Sequence, residues 1–123
     1  MPRFVILRHE TPPHAPRPLH WDLMFERNAK LVTWALADEP APGKNVDAEL
    51  LADHRMEYLE FEGELTKGRG TVRRWDAGTF SVEQWDDERI TVLLSGMHLR
   101  QCQVELTRDS GATQRWSVDF SSG

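Results

Sequence analysis

The sequence predicts an all-β fold: a compact antiparallel β-barrel of roughly eight strands with at most one or two short helical turns. Two observations predict it. Residues 19–26, Leu-His-Trp-Asp-Leu-Met-Phe-Glu, alternate apolar and polar side chains at period two, as a strand with one face in a core does. Later in the chain, short runs rich in Val, Leu, Thr and Phe recur between clusters of Asp, Gly and Ser. A closed or nearly closed sheet best removes exposed edges from so small a protein. The length of 123 residues fits one domain, 1–123, with a single core and no accessory domain.

The elements follow in order. Residues 4–8 are a short apolar run with a β-branched pair and form a first strand, with His9 at its exit. Residues 10–18 hold four prolines and form a stiff loop, because proline lacks an N–H and fixes φ. In the strand over 19–26, Leu19, Trp21, Leu23 and Phe25 turn to the core, while His20, Asp22 and Met24 share the opposite face. Arg27-Asn28 turns the chain into a partner strand over 30–36, which makes a hairpin. Residues 38–45 read as loop and 46–52 as one or two helical turns, and Asp53-His54 reads either as a functional knot or as a capping Asp53 beside an exposed His54. Residues 59–65 alternate again and read as a strand, Lys67-Gly68-Arg69-Gly70 as a basic turn, and 71–75, 78–82, 89–94, 99–106 and 114–120 as short strands.

Composition narrows the function classes. A net charge of −5 argues against holding nucleic acid through a large basic surface and leaves room for a local patch over a few phosphates. The single cysteine, Cys102, cannot form an internal disulfide; it reads as a small buried hydrophobe in a reducing compartment. The N-terminal apolar run is far shorter than a signal-peptide core, and no apolar stretch is long enough to span a bilayer. The expectation is a soluble, cytoplasmic, monomeric protein with no membrane association.

The chemistry concentrates in histidines. The chain has His9, His14, His20, His54 and His98, and no C-x-x-C, P-loop, G-x-G-x-x-G or G-x-S-x-G pattern. His20 and Asp22, two apart on one strand face, can reach a single point, although an H-x-D on a strand also fits a solvated polar face. With His9 at the neighbouring strand end they make a set of two nitrogens and one oxygen, suited to Mn, Fe, Zn or Co. His54 and Tyr58 stand four apart near a turn, where an imidazole beside a metal-bound phosphate can deliver a proton to a leaving alkoxide. Arg55, Lys67, Arg69, Arg73 and Arg74 form the one dense basic cluster, which either contacts phosphate or balances Glu60, Glu62 and Glu64. His98 reads as structural or surface.

Four blocks in register resemble the 3′-phosphoesterase domain found in bacterial DNA ligase D and as stand-alone proteins. They are Phe4-Val5-Ile6-Leu7-Arg8-His9; residues 19–26 followed by Leu31-Val32-Thr33-Trp34-Ala35; residues 53–63; and Gly70-Thr71-Val72-Arg73-Arg74-Trp75-Asp76-Ala77-Gly78-Thr79. The resemblance implies a compact β-barrel that trims 3′-phosphates and 3′-ribonucleotides from DNA ends with Mn²⁺, or another divalent transition metal, ahead of end joining. It implies His9, His20 and Asp22 as metal ligands, with His54 and Tyr58 engaging the phosphate and the leaving group. It also implies DNA or RNA-terminated DNA 3′ ends as partners, with a ligase or polymerase encoded separately. The family places its first histidine six residues before the second, a spacing that His14 has; His9 has the flanking strand sequence and is the preferred ligand. Met24 stands where the family pattern L-H-Y-D-L-R-L-E carries an arginine, and Leu7 replaces a polar residue. Arg17, Arg55 and Arg69 are the candidates to supply the missing cation. The alternative is a catalytically impaired module that binds nucleic-acid ends or a repair partner; a small-molecule-binding barrel is a third reading.

Overall fold

The computed structural model describes residues 1–111 and 114–122. Its strands are β1 (Arg3–Glu10), β2 (His20–Arg27), β3 (Lys30–Leu36), β4 (Asn45–Leu50), β5 (Gly63–Glu64), β6 (Thr71–Trp85), β7 (Arg89–Gly96), β8 (Cys102–Arg108) and β9 (Arg115–Ser122). Pairing runs β1-β2-β3-β4-β9-β8-β7-β6 and returns from β6 to β1, so eight antiparallel strands close into a barrel. The two-residue β5 adds to β6 beside this ring. The helical content among the described residues is two 3-10 turns, Met56–Leu59 and Thr66–Gly68, and no helix is long and apolar enough to cross a membrane.

Strand alternation divides the apolar residues into two layers. Phe4 and Ile6 of β1, Trp21, Leu23 and Phe25 of β2, and Trp34 and Leu36 of β3 fill the barrel with Phe80, Val92, Leu94, Trp116 and Phe120. Val5 and Leu7 of β1, Met24 of β2 and Val72 of β6 point the other way and pack with Leu31, Leu59 and Leu65. Segment 51–70 therefore lies over the outer face of β1, β2 and β6 as a cover. This cover buries both faces of β2, where the period-two pattern predicts one, and puts His20, Asp22 and Met24 beneath it or at its edge.

The hairpin turn falls at Asn28 and Ala29, both in left-handed conformation (φ 53° and 62°), the backbone that a two-residue turn needs to match the strand twist. Several expectations are corrected. Leu19 precedes β2 and is 37% exposed, outside the core. Residues 46–52 form no helical turn; Val46 and Ala48 alternate inward with exposed Asp47 between them, and β4 pairs with both β3 and β9. Of 59–65 only Gly63–Glu64 is strand, because Leu59 and Leu65 both turn down to cap the outer layer.

The two strands expected over 71–82 are one continuous β6, and Gly78 marks a close approach within it. A Cβ there would meet the Ser95 carbonyl oxygen at 2.1 Å. The break that the sequence suggests at Asp76-Ala77 is instead a β-bulge just before it: Leu7 pairs with Arg74 and Ile6 with Asp76, leaving Trp75 as the extra residue. Leu99 lies in the loop before β8, held there with its neighbours. The buried Asp76 carboxylate accepts the backbone N–H groups of Ala77, Met97, His98 and Leu99 at 2.8–2.9 Å. Cys102 is buried, and exposed His98 stacks on Trp75 with ring centroids 4.0 Å apart.

Candidate metal and phosphate site

The antiparallel register of the first two strands sets His9 opposite His20 and Leu7 opposite Asp22. Their side chains converge on the outer wall of the barrel at the exit of β1. Nδ1 of His9 lies 3.1 Å from Nε2 of His20, and the Asp22 carboxylate lies 3.3 Å from the first and 3.2 Å from the second. His20 and Asp22 are 4% and 3% exposed, and His9 is half-buried.

Backbone carbonyls fix what these nitrogens can do. The other nitrogen of His9, Nε2, is 2.9 Å from the Arg69 carbonyl oxygen, and Nδ1 of His20 is 2.8 Å from that of Pro18. A carbonyl only accepts, so both outer nitrogens carry their protons. In neutral rings the two facing nitrogens are then bare lone pairs, aimed at each other beside a carboxylate. Such a concentration of acceptors needs a cation, either a proton or a metal. In keeping with this, Oδ1 of Asp22 is buried and accepts no hydrogen bond.

The electrostatics agree. Burial pushes the His9 pKa down, yet the Asp22 carboxylate and the Arg69 carbonyl outweigh it and the net shift is upward. Burial alone would raise the Asp22 carboxyl; with protons on their facing nitrogens, the His20 and His9 imidazoles donate to it and hold it down at about 2. The donors also have metal-ligand spacing. Two donors about 2.1 Å from one ion at tetrahedral or octahedral angles are about 3.0–3.4 Å apart, and the three separations here fall in that interval. Backbone carbonyls orienting the imidazoles from behind are the usual support of such a site.

The triad opens into a cavity of about 420 Å³ between the proline loop, Leu51 and His54 on one side and residues 67–69 on the other. His54 is fixed to this wall: its backbone N–H and C=O pair with Leu31, and its Nδ1 donates to the Ala52 carbonyl at 3.0 Å. Tyr58 meets the His54 ring edge-on, with centroids 5.6 Å apart, and packs on the outer layer without lining the cavity. Arg17 and Arg69 line it, the first paired with Glu49 at 2.8 Å, the second donating to the Thr66 carbonyl and hydroxyl at 3.0 and 3.2 Å. Arg55 is not at the cavity; its side chain is 81% exposed and paired with Glu57. His14 sits exposed on the proline-loop wall, outside the triad. Met24, one alternation below Asp22, is sealed among Val5, Leu7 and Leu31.

Sequence reasoning did not single out two sets of contributors. The carbonyls of Pro18 and Arg69 orient both imidazoles, and a backbone acceptor leaves no trace in side-chain identity. Leu51 and Pro12 line the cavity and carry no chemical signal, whereas Lys67, named within the basic cluster, lines it too.

A closed antiparallel barrel with two imidazoles and a carboxylate on its outer wall, beside a cavity edged with cations, is the architectural class these features define. Within it, the chain belongs to the DNA ligase D 3′-phosphoesterase domain family, whose profile matches residues 12–108. The match spans His14, His20, Asp22, His54 and Tyr58; His9 lies ahead of it, and its place in the triad rests on the geometry above. The chain is similar to a multifunctional non-homologous end joining protein LigD of Mycobacterium bovis, 38% identical over 90 residues. Similar proteins of the same name occur in Mycolicibacterium smegmatis, 36% identical over 88 residues, and Pseudomonas aeruginosa, 31% identical over 81. These alignments cover 69%, 68% and 62% of this chain and 11%, 11% and 10% of the respective relatives, so the chain spans about a tenth of their length.

Proposed function

We propose that this protein is a divalent-metal-dependent phosphoesterase that removes 3′-phosphate or 3′-ribonucleotide groups from DNA ends, Mn²⁺ being the preferred ion, as a step in non-homologous end joining. The observation that carries the reading is the convergence of two lone-pair nitrogens and an unpartnered buried carboxylate oxygen at metal-ligand spacing. Family membership supports phosphoester chemistry, and the relatives, named as non-homologous end joining proteins, support the end-joining context.

In this reading His9, His20 and Asp22 hold the ion, which when bound supplies Lewis-acid polarisation of a phosphoryl oxygen and a template for the attacking water. The chain's own groups do the rest. Pro18 and Arg69 carbonyls keep the two imidazoles in the ligating tautomer. His54, with Nδ1–H bound to Ala52, presents Nε2 as the proton carrier for the departing 3′ oxygen as the P–O bond breaks. Tyr58 braces the His54 ring by its edge contact. Arg17 and Arg69 place positive charge around the phosphate. The substrate is a DNA or RNA-terminated 3′ end, delivered to a ligase or polymerase encoded separately.

The test is a primer–template bearing a 3′-phosphate, incubated with the protein and Mn²⁺. The expected outcome is a 3′-hydroxyl end and orthophosphate; no product above the metal-free control, at enzyme in excess of substrate, overturns hydrolysis. One observation favours the second reading, a module that binds ends without cleaving them: Met24 gives the site strand an apolar, buried side chain that cannot donate to phosphate. Metal-dependent binding of the same DNA without turnover is its signature.

A further inference from the structure

The turn over residues 66–70 has an unusual backbone. Lys67 is a non-glycine residue at φ 61°, ψ 30°, followed by Gly68 at φ 65° and Gly70 at φ 100°. Left-handed backbone at a side-chain-bearing residue is costly and persists where the surroundings impose it. Here they do. Gly70 sits so close to β1 that a Cβ would lie 1.9 Å from the Glu10 carbonyl oxygen, and the Leu65 N–H closes the turn on the Gly70 carbonyl at 2.8 Å. The same turn supplies the Arg69 carbonyl that orients His9. One turn thus sets a member of the triad and, two residues earlier, delivers Lys67 to the cavity wall.

Lys67 differs from the other cations of that wall in being uncommitted. Arg17 is held by Glu49, and the Arg69 guanidinium is folded back on Thr66. Lys67 makes no ion pair or side-chain hydrogen bond among the described residues. A compact ammonium with three donors, left free at the edge of the cavity into which the triad opens, suits the non-bridging oxygens of a terminal phosphate, whose second charge a phosphodiester or a hydroxyl end lacks. We propose that Lys67 is the residue that recognises the terminal phosphate, and that it sets a preference for 3′-phosphate over 3′-hydroxyl ends. This rests on the phosphoesterase reading above.

The experiment measures binding, so that it stands apart from turnover. Fluorescence anisotropy compares a 3′-phosphate oligonucleotide, its bridging 3′ oxygen replaced by methylene so that it binds without being cleaved, with its 3′-hydroxyl twin on Mn²⁺-loaded protein, for the wild type, Lys67→Met, Lys67→Arg and, as a control at the β2–β3 hairpin, Lys30→Met. Lys67→Met keeps the stem and removes the charge. The wild type should favour the 3′-phosphate oligonucleotide. Lys67→Met should weaken its binding roughly tenfold, leave the 3′-hydroxyl twin nearly unchanged, and retain wild-type metal stoichiometry. Lys67→Arg should restore much of the preference, and Lys30→Met should behave as wild type. Equal loss for both oligonucleotides, or an unchanged preference in Lys67→Met, overturns the proposal, as does a wild type that does not discriminate. A wild type that discriminates through Lys67 but never cleaves overturns hydrolysis and leaves the phosphate subsite standing.

Discussion

His9 and His14 both lie within reach of sequence arguments for the first ligand, and the backbone separates them. His9 ends a strand whose register partner is His20, and its outer nitrogen is anchored on Arg69. His14 sits in a proline loop, exposed, with no member of the triad as its neighbour in register. Replacing each singly with Ala should therefore give different results. His9→Ala should abolish the rise in melting temperature that Mn²⁺ produces in the wild type, since ligand binding stabilises only the state that holds it. His14→Ala should keep most of that rise. A thermal-shift titration decides, and loss in His14→Ala alone reverses the ligand assignment. At this scale the sequence was legible where side-chain identity and period coincide: alternation alone put His20 and Asp22 on one face. It could not show that this face is covered, because the residues covering it, Leu59 and Leu65, come more than thirty residues later.

Among the elements, β6 departs furthest from its sequence reading, and Asp76 explains how a single long strand survives a bulge. The extra residue, Trp75, lets Asp76 turn inward, where its carboxylate holds the loop between β7 and β8 by three N–H groups in addition to that of Ala77. Gly96 makes room, since a Cβ there would lie 2.4 Å from Oδ2. Asp76→Ala should strand those donors in a buried place and cost about 3 kcal/mol, read as a lowered urea midpoint. Asp76→Asn, which keeps acceptor capacity on one atom, should cost less. Equal, small losses in both would mean that the loop is held by its apolar contacts. The reading of 71–75 and 78–82 as two strands fails for a physical reason: Asp-Ala-Gly is turn-like in composition, and the carboxylate that accounts for it finds its partners about twenty residues away. The misread β4 is similar. Its Val-Asp-Ala alternation is too short to outweigh a helix-compatible composition until both neighbouring strands are in place.

For the whole molecule the closed barrel was legible, from the number and spacing of short apolar runs, whereas the second layer was not. Segment 51–70 reads as an assortment of polar knots, yet it forms the outer cover through Leu59, Leu65, the backbone bridge of His54 to Leu31, and the Arg69 carbonyl on His9. Barrel strands share an extensive ladder of hydrogen bonds; the cover is held by a few apolar contacts and isolated backbone pairs, so it should open locally at lower free energy than the barrel. One of its contacts, the Arg69 carbonyl on His9, ends at the proposed metal site. An ion bound by His9, His20 and Asp22 would fix the His9 ring, and with it the acceptor at Arg69 and the turn that carries Lys67. Hydrogen exchange of the metal-free protein should show faster exchange at residues 56–70 than in β1 to β3, and added Mn²⁺ should slow the cover more than the barrel. Uniform slowing throughout the chain would mean that the metal stabilises only against global unfolding; no slowing at 66–70 would uncouple the turn from His9.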